Sequence, residues 1–156
     1  MTKNPAPAGT TVLATHECWQ LLRSVSVARL AVWVHDHPDI FPINFTVDHG
    51  TVVFRSGEGT KLTSSLGGTP VALEADGVDQ DSGVAWSVVI KGEATDIVAI
   101  NDVLDTVGLP LFPWEAGHKD HFIRITPTSV TGRRFKVADP ASWWNPMADA
   151  PRAAPE

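Results

Sequence analysis

The chain has no tyrosine and a single cysteine, Cys18, among its 156 residues. A lone cysteine excludes an intrachain disulfide, and a reducing compartment fits best. Six tryptophans accompany the missing tyrosines, a bias for which residue chemistry offers no account. Positive charge is scarce: 12 Lys and Arg stand against 18 Asp and Glu, for a net charge of −6. A general nucleic-acid binder is excluded on that ground, because a phosphate backbone needs a basic surface. No apolar run reaches the length of a membrane span. The opening MTKNPAPAGTT has no apolar core of the signal-peptide kind, so the expected location is cytoplasmic. Catalytic signatures are missing too. There is no Gly-x-Ser-x-Gly, no His-x-x-x-His, no Cys–His pattern and no Gly-x-x-x-x-Gly-Lys phosphate loop. Any chemistry therefore has to do without a nucleophile triad.

What is present is 43% hydrophobic residues, enough for one globular domain with a sizeable core. Its most informative stretch is TVVFRSGEGTKLTSSL, residues 51–66. Thr51 to Phe54 reads as a strand that follows the turn signal Asp48-His49-Gly50. The strand delivers Arg55 and Ser56 to its end. Gly57-Glu58-Gly59 then turns, and Thr60 and Lys61 open a short helix to Leu66. A guanidinium, hydroxyls, an ammonium and a helix start within seven positions suit a phosphate. The same residues also suit a plain strand–turn–helix corner with solvated Arg55 and Lys61, and residue types alone weigh the two readings evenly.

Along the rest of the chain, residues 1–12 read as a mobile N-terminal arm, 13–137 as the folded domain and 138–156 as a tail. Thr15 is the expected N-cap of a helix over His16 to Ser24, with Cys18, Leu21, Leu22 and Val25 on one face. Cys18 reads as a core residue there. Val27 to Val34 reads as a strand apolar on both faces, with Arg29 the exception that needs a partner. His35-Asp36-His37-Pro38-Asp39 reads as a solvated hairpin tip rather than a metal cluster. Ile40 to Val47 is a second strand, in which Pro42 predicts an interrupted ladder with Asn44 beside the gap. Such a gap leaves backbone groups for a planar heterocycle; a structural edge strand is the alternative. Further strands are expected over Val71 to Ala75 and Trp86 to Ile97, separated by a loop from Asp76 to Gly83. Gly92 predicts a bulge or a close backbone crossing. A short helix from Asn101 to Val107 and a loop carrying Trp114 come next. His121 to Thr126 and Ser129 to Val137 read as a hairpin around Pro127. Trp143-Trp144 in the tail predicts packing on a partner subunit or over a site. Seven or so short strands with few helices predict a mainly β, antiparallel barrel, closed or split.

Several pieces then carry a resemblance: Ala28-Arg29-Leu30-Ala31-Val32, Phe41-Pro42-Ile43-Asn44-Phe45, Val53-Phe54-Arg55-Ser56 through Gly59-Thr60-Lys61-Leu62, Val71-Ala72-Leu73-Glu74, and Trp86-Ser87-Val88 through Ala94. His121-Phe122-Ile123-Arg124-Ile125 and Thr131-Gly132-Arg133-Arg134-Phe135 complete the series. Over residues 18–136, about three-quarters of the chain, the order and spacing of these pieces resemble the pyridoxamine 5′-phosphate oxidase-like superfamily of flavin-binding split barrels. The resemblance implies a six- to seven-stranded antiparallel split β-barrel and a homodimer with two cofactor sites at its interface. It places the cofactor phosphate at Arg55, Ser56, Thr60 and Lys61, with Phe54 behind them. The ring lies along Pro42, Asn44 and Phe45, and the Trp86-Ser87-Val88 strand reaches it. The Arg-x-His signature of the vitamin B6 enzyme's substrate loop is absent, so the likeness points to the actinobacterial branch, which uses FMN or the deazaflavin coenzyme F-420.

Hydride transfer on such a cofactor needs no triad, only orientation and tuning by the protein. The expected function is an FMN-dependent oxidoreductase acting on a small molecule. A deazaflavin-dependent reductase and a non-catalytic flavin carrier are the alternatives, and haem binding is a weaker third. FMN ranks first because a single Arg–Lys corner matches one terminal phosphate.

Overall fold

The computed structural model describes residues 8–56, 70–97 and 121–138. Among them are seven strands and one helix: β1 (Thr10–Val12), α1 (Thr15–Arg23), β2 (Val27–Val34), β3 (His37–Asp48), β4 (Thr51–Ser56), β5 (Pro70–Asp79), β6 (Val84–Asp96) and β7 (His121–Lys136). All pairings are antiparallel. The strand order is β1-β7-β4-β3-β2-β5-β6, and β6 pairs back onto β7, so the sheet closes on itself. This is the split barrel that the resemblance implies, and one of the two barrel types the strand pattern allows.

Closure is possible because β6 is long enough to serve two partners and β7 three. β7 pairs with β4 over Ile125 to His121 and with β1 over Phe135 to Arg133, while β6 runs along nearly its whole length. The reading of residues 121–137 as a hairpin is corrected here. Pro127 does not turn the chain, since the residues on either side of it continue along one strand. The irregularity is absorbed as a register shift opposite Lys91 and Gly92. Gly92 was the expected close crossing, and a Cβ there would lie 2.2 Å from the Thr126 carbonyl oxygen. Only a residue without a side chain lets the two backbones meet so closely.

Other boundaries move: β3 already begins at His37, within the expected tip, and β6 at Val84. Residues 10–12 belong to the sheet as β1 rather than to an arm. β5 runs on to Asp79 through the stretch read as a loop, leaving a turn in which Gly83 N–H donates to the Asp79 carbonyl at 2.9 Å. Gly77 can sit in that strand because the Trp86 indole covers it: a Cβ at Gly77 would meet Trp86 Nε1 at 2.7 Å. Helix α1 begins at Thr15, with Ala14 as its cap; the Ala14 N–H donates to Glu17 Oε2 at 2.8 Å.

The core fills the barrel. Leu30, Leu73, Ile90, Phe54, Ile123 and Ile125 are fully buried, and Cys18 and Leu22 of α1 cap them from one end. Burial raises the Cys18 thiol pKa, so the sulfur is a small core group, as its place on the apolar helix face predicts. Gly132 admits α1 to this position: a Cβ would lie 2.6 Å from Cys18 Sγ and 3.0 Å from Leu13 Cδ1. No helix among the described residues is long and apolar enough to cross a membrane.

Candidate functional site

Strand alternation sorts the expected site residues by face. β2 buries Ala28, Leu30, Val32 and Val34, as expected, and turns Arg29 and Trp33 outward. Register then carries the outer face to neighbouring strands: Arg29 is opposite Pro42 and Glu74, Val27 opposite Asn44, and Asp76 opposite Ser87. Pro42, Asn44 and Ser87 therefore lie on the outer wall. Arg55 shares that wall, being exposed on the side of β4 opposite the buried Phe54. Phe45, Phe54, Ser56, Trp86 and Val88 have the inward parity. Phe45, Phe54 and Val88 are core side chains and Ser56 is 4% exposed, so their side chains do not reach a ligand outside the barrel.

Pro42 does not interrupt its ladder. β2 and β3 pair without a break from Val34–His37 to Val27–Asn44. The other edge is paired over a shorter stretch. β3 pairs with β4 only over Phe45 to Asp48, so the second edge of residues 37–44 has no strand partner among the described residues. A proline is tolerated where its nitrogen meets no neighbouring strand. Asn44 itself is half-buried, and its Nδ2 donates to the Ser26 carbonyl at 3.4 Å.

Arg55 stands one step past the Phe45–Phe54 pair and Asn44 one step before it, so both flank the point where β3 and β4 part. The Arg55 guanidinium carbon lies 5.2 Å from the centre of the Phe122 ring, on the cross-strand neighbour in β7. Beside it, Arg124 Nη1 donates to Asp48 Oδ2 at 2.8 Å and to Thr51 Oγ1. The Arg124 hydrogen bond, more than any other contact, holds the Asp48 carboxyl below its usual pKa. At the other end of the wall, Arg29 bridges Glu74 at 3.1 Å and Asp76 at 3.2 Å. These carboxylates raise the Arg29 pKa, Asp76 contributing most, and they answer its need for a partner. From Arg55 to Ser87 the wall crosses β4, β3, β2, β5 and β6, roughly 20 Å at about 4.8 Å per strand.

Thr60 and Lys61, the expected helix to Leu66, the Asn101 helix, Trp114 and Trp143-Trp144 all lie outside the described residues. Trp86 is described, and it lines a groove of about 550 Å³ with Leu21, Val25, Gly77 and Arg134 at the α1 end. The groove opens on the inward-parity side of β6, away from the wall carrying Arg55. His35 and His37 are exposed at the β2–β3 turn, and among the described residues no three His, Cys, Asp or Glu side chains gather as for a metal. Phe122 and Arg124 were not singled out in the sequence. Their signal was strand alternation: both project on the face opposite the core residues Ile123 and Ile125.

A model of the family described as pyridoxamine 5′-phosphate oxidase matches residues 14–134. The chain belongs to this family. An uncharacterised protein of Mycobacterium tuberculosis is 35% identical over 79% of this chain and 83% of its own length. Among solved structures, a FAD-binding protein from Mycobacterium smegmatis superposes with a TM-score of 0.73 at 39% identity, covering 81% of this chain and 99% of that one. A Corynebacterium diphtheriae protein of unknown function superposes at 0.69 and 34% identity, covering 81% and 98%. Family membership spans the barrel from α1 to β7, so the outer wall described above lies entirely within the shared fold.

Proposed function

We propose that this protein is a flavin-nucleotide-binding oxidoreductase that passes hydride between the bound flavin and a small molecule. The observation that carries the reading is Arg55, exposed at the end of β4 beside the edge of β3 that has no strand partner among the described residues. That arrangement offers a cation for a phosphate and, next to it, a strand edge for a planar ring. The described residues of this wall suit the group: Arg55 carries charge for phosphate oxygens, and Asn44 and the β3 edge address the ring, while Thr60 and Lys61 follow Arg55 in the sequence. A bound flavin supplies hydride acceptance and donation. The chain holds and orients it and tunes it through hydrogen-bond donors.

FMN and FAD share the ring, the ribityl chain and the first phosphate, which is the part this wall addresses. FAD binding by the 39%-identical mycobacterial protein makes FAD a first test ligand beside FMN, ahead of the deazaflavin coenzyme. A homodimer completes the proposal. Trp33 is 54% and Ile40 65% exposed, and both stand on the outer wall with Pro38 and Pro42. A second protomer laid against this wall covers that apolar surface and encloses the ligand.

The test is a spectrum. Protein incubated with FMN, FAD or the deazaflavin coenzyme and then passed over a desalting column should keep an oxidised-flavin band. Consumption of NAD(P)H or reduced deazaflavin separates an oxidoreductase from a carrier. Retention of the deazaflavin with neither flavin retained contradicts the flavin assignment.

A further inference from the structure

We infer that the groove between α1 and the β5–β6 hairpin is a second small-molecule site, one that takes a flat aromatic carboxylate. The groove opens on the opposite face of the sheet from Arg55, so the site stands apart from the flavin reading. Its volume, about 550 Å³, lies within the range of small-ligand pockets. Leu21, Val25 and Trp86 line it, and each packs on the core while remaining half-exposed. The floor is thus apolar, aromatic and fixed by the barrel. A flat ring suits it, since aromatic faces stack and the filled core gives Trp86 no room to withdraw. Arg134 supplies the polar anchor. It stands directly opposite Trp86 on the β6–β7 ladder, and strand pairing puts both side chains on one face. Its ion pair is with Glu17, whose Oε1 lies 3.7 Å from Nη1, too far for a hydrogen bond. Glu17 is engaged elsewhere, its Oε2 accepting the Ala14 N–H at the start of α1. The Arg134 guanidinium therefore makes no hydrogen bond among the described residues, and its planar fork matches a carboxylate. Lys136, two residues along the same face of β7 and opposite Val84, adds positive charge at this end. Asp79 also borders the groove, but its carboxylate is held by the Ser82 hydroxyl at 2.9 Å and by the N–H groups of Asp81 and Ser82. It stands two strands and two residues from Arg134, roughly 12 Å by strand spacing, beyond a Debye length at physiological salt.

The experiment titrates purified full-length protein by calorimetry with 2-naphthoate and with its neutral counterpart, 2-naphthamide. The parent chain should bind naphthoate about tenfold more tightly than naphthamide, the low end for a charge-assisted hydrogen bond. Arg134→Gln should abolish that preference, weakening naphthoate by about tenfold and leaving naphthamide unchanged. These comparisons touch no core side chain. Trp86→Leu, which does, should weaken both probes. Saturating FMN should leave naphthoate binding as it was. Equal binding of the two probes by the parent chain overturns the inference, as does a preference that survives Arg134→Gln. Competition between FMN and naphthoate puts the probe on the flavin wall and overturns it too. Binding of neither probe overturns it as well, and leaves the groove to another segment or a second copy of this chain.

Discussion

Asp48 is the residue at which charge and fold meet most closely on the outer wall. Its side chain is 19% exposed and that of Arg124 25%, so their contact is only partly screened. His49 Nδ1 also lies 2.8 Å from Asp48 Oδ1 at the exposed turn. The carboxyl pKa is lowered in the folded chain from an unfolded value near 3.8, first by the Arg124 hydrogen bond. A depressed carboxyl stabilises the fold above the unfolded value, and that stability is lost as pH falls through the folded value. Asp48→Asn should cost about 1–2 kcal/mol at pH 7, the range of a partly exposed charge-assisted hydrogen bond. It should also flatten the fall in melting temperature below about pH 4. Melting curves of parent and variant across pH 2–7 check both points; parallel curves would show that the pair contributes nothing. Arg124 was invisible in the sequence as a partner for Asp48, because 76 residues separate them and only strand pairing brings them together.

Among the elements, the β6–β7 pair holds the barrel shut, and its tightest point is a glycine. A Cβ at Gly92 meets backbone, the Thr126 carbonyl oxygen, which cannot swing aside as a side chain would. Gly92→Ala should therefore destabilise by about 2–4 kcal/mol, the upper range for overpacking. Gly50 is the contrasting case. Its φ is +72, and a Cβ there would have nothing within 4 Å, so Gly50→Ala should cost only the left-handed backbone strain, about 1–2 kcal/mol. Urea unfolding of the two variants gives the comparison, and an unperturbed Gly92→Ala would mean that the strands are not locked there. Gly92 was legible in the sequence because a glycine within a long apolar strand has few other reasons to be present. β2 was legible to the residue for a similar reason: Val27 to Val34 has unbroken strand chemistry and clear ends. β5 and β7 were not. Asp76-Gly77 and Pro127 carry turn chemistry, and tertiary pairing overrides it, through the Trp86 indole over Gly77 and through a bulge opposite Gly92. Of the candidate site, residue types pointed to Arg55, Pro42 and Asn44, which the fold places on one wall. Phe45, Phe54, Trp86 and Val88 were nominated by stretch, and strand alternation turns their side chains inward.

For the whole molecule, the barrel explains its own core but leaves Trp33 and Ile40 on an outer wall that also carries Arg55. Sedimentation at tens of micromolar should give a species near twice the 16.8 kDa chain mass. Trp33→Glu should shift it toward the monomer and weaken flavin binding in parallel, because in the proposed arrangement one surface serves both. A monomeric parent chain contradicts the shared-wall arrangement. The most direct test of the account lies at the flavin phosphate. Arg55→Ala and the parent protein should be titrated with FMN and with riboflavin by calorimetry. Loss of a charge-assisted contact predicts FMN affinity lower by about one to two decades, or 1.5–3 kcal/mol. Riboflavin affinity should be unchanged, and Arg55→Lys should recover only part of the loss, since an ammonium cannot grip two oxygens at once. FMN binding to Arg55→Ala as tight as to the parent would contradict the account.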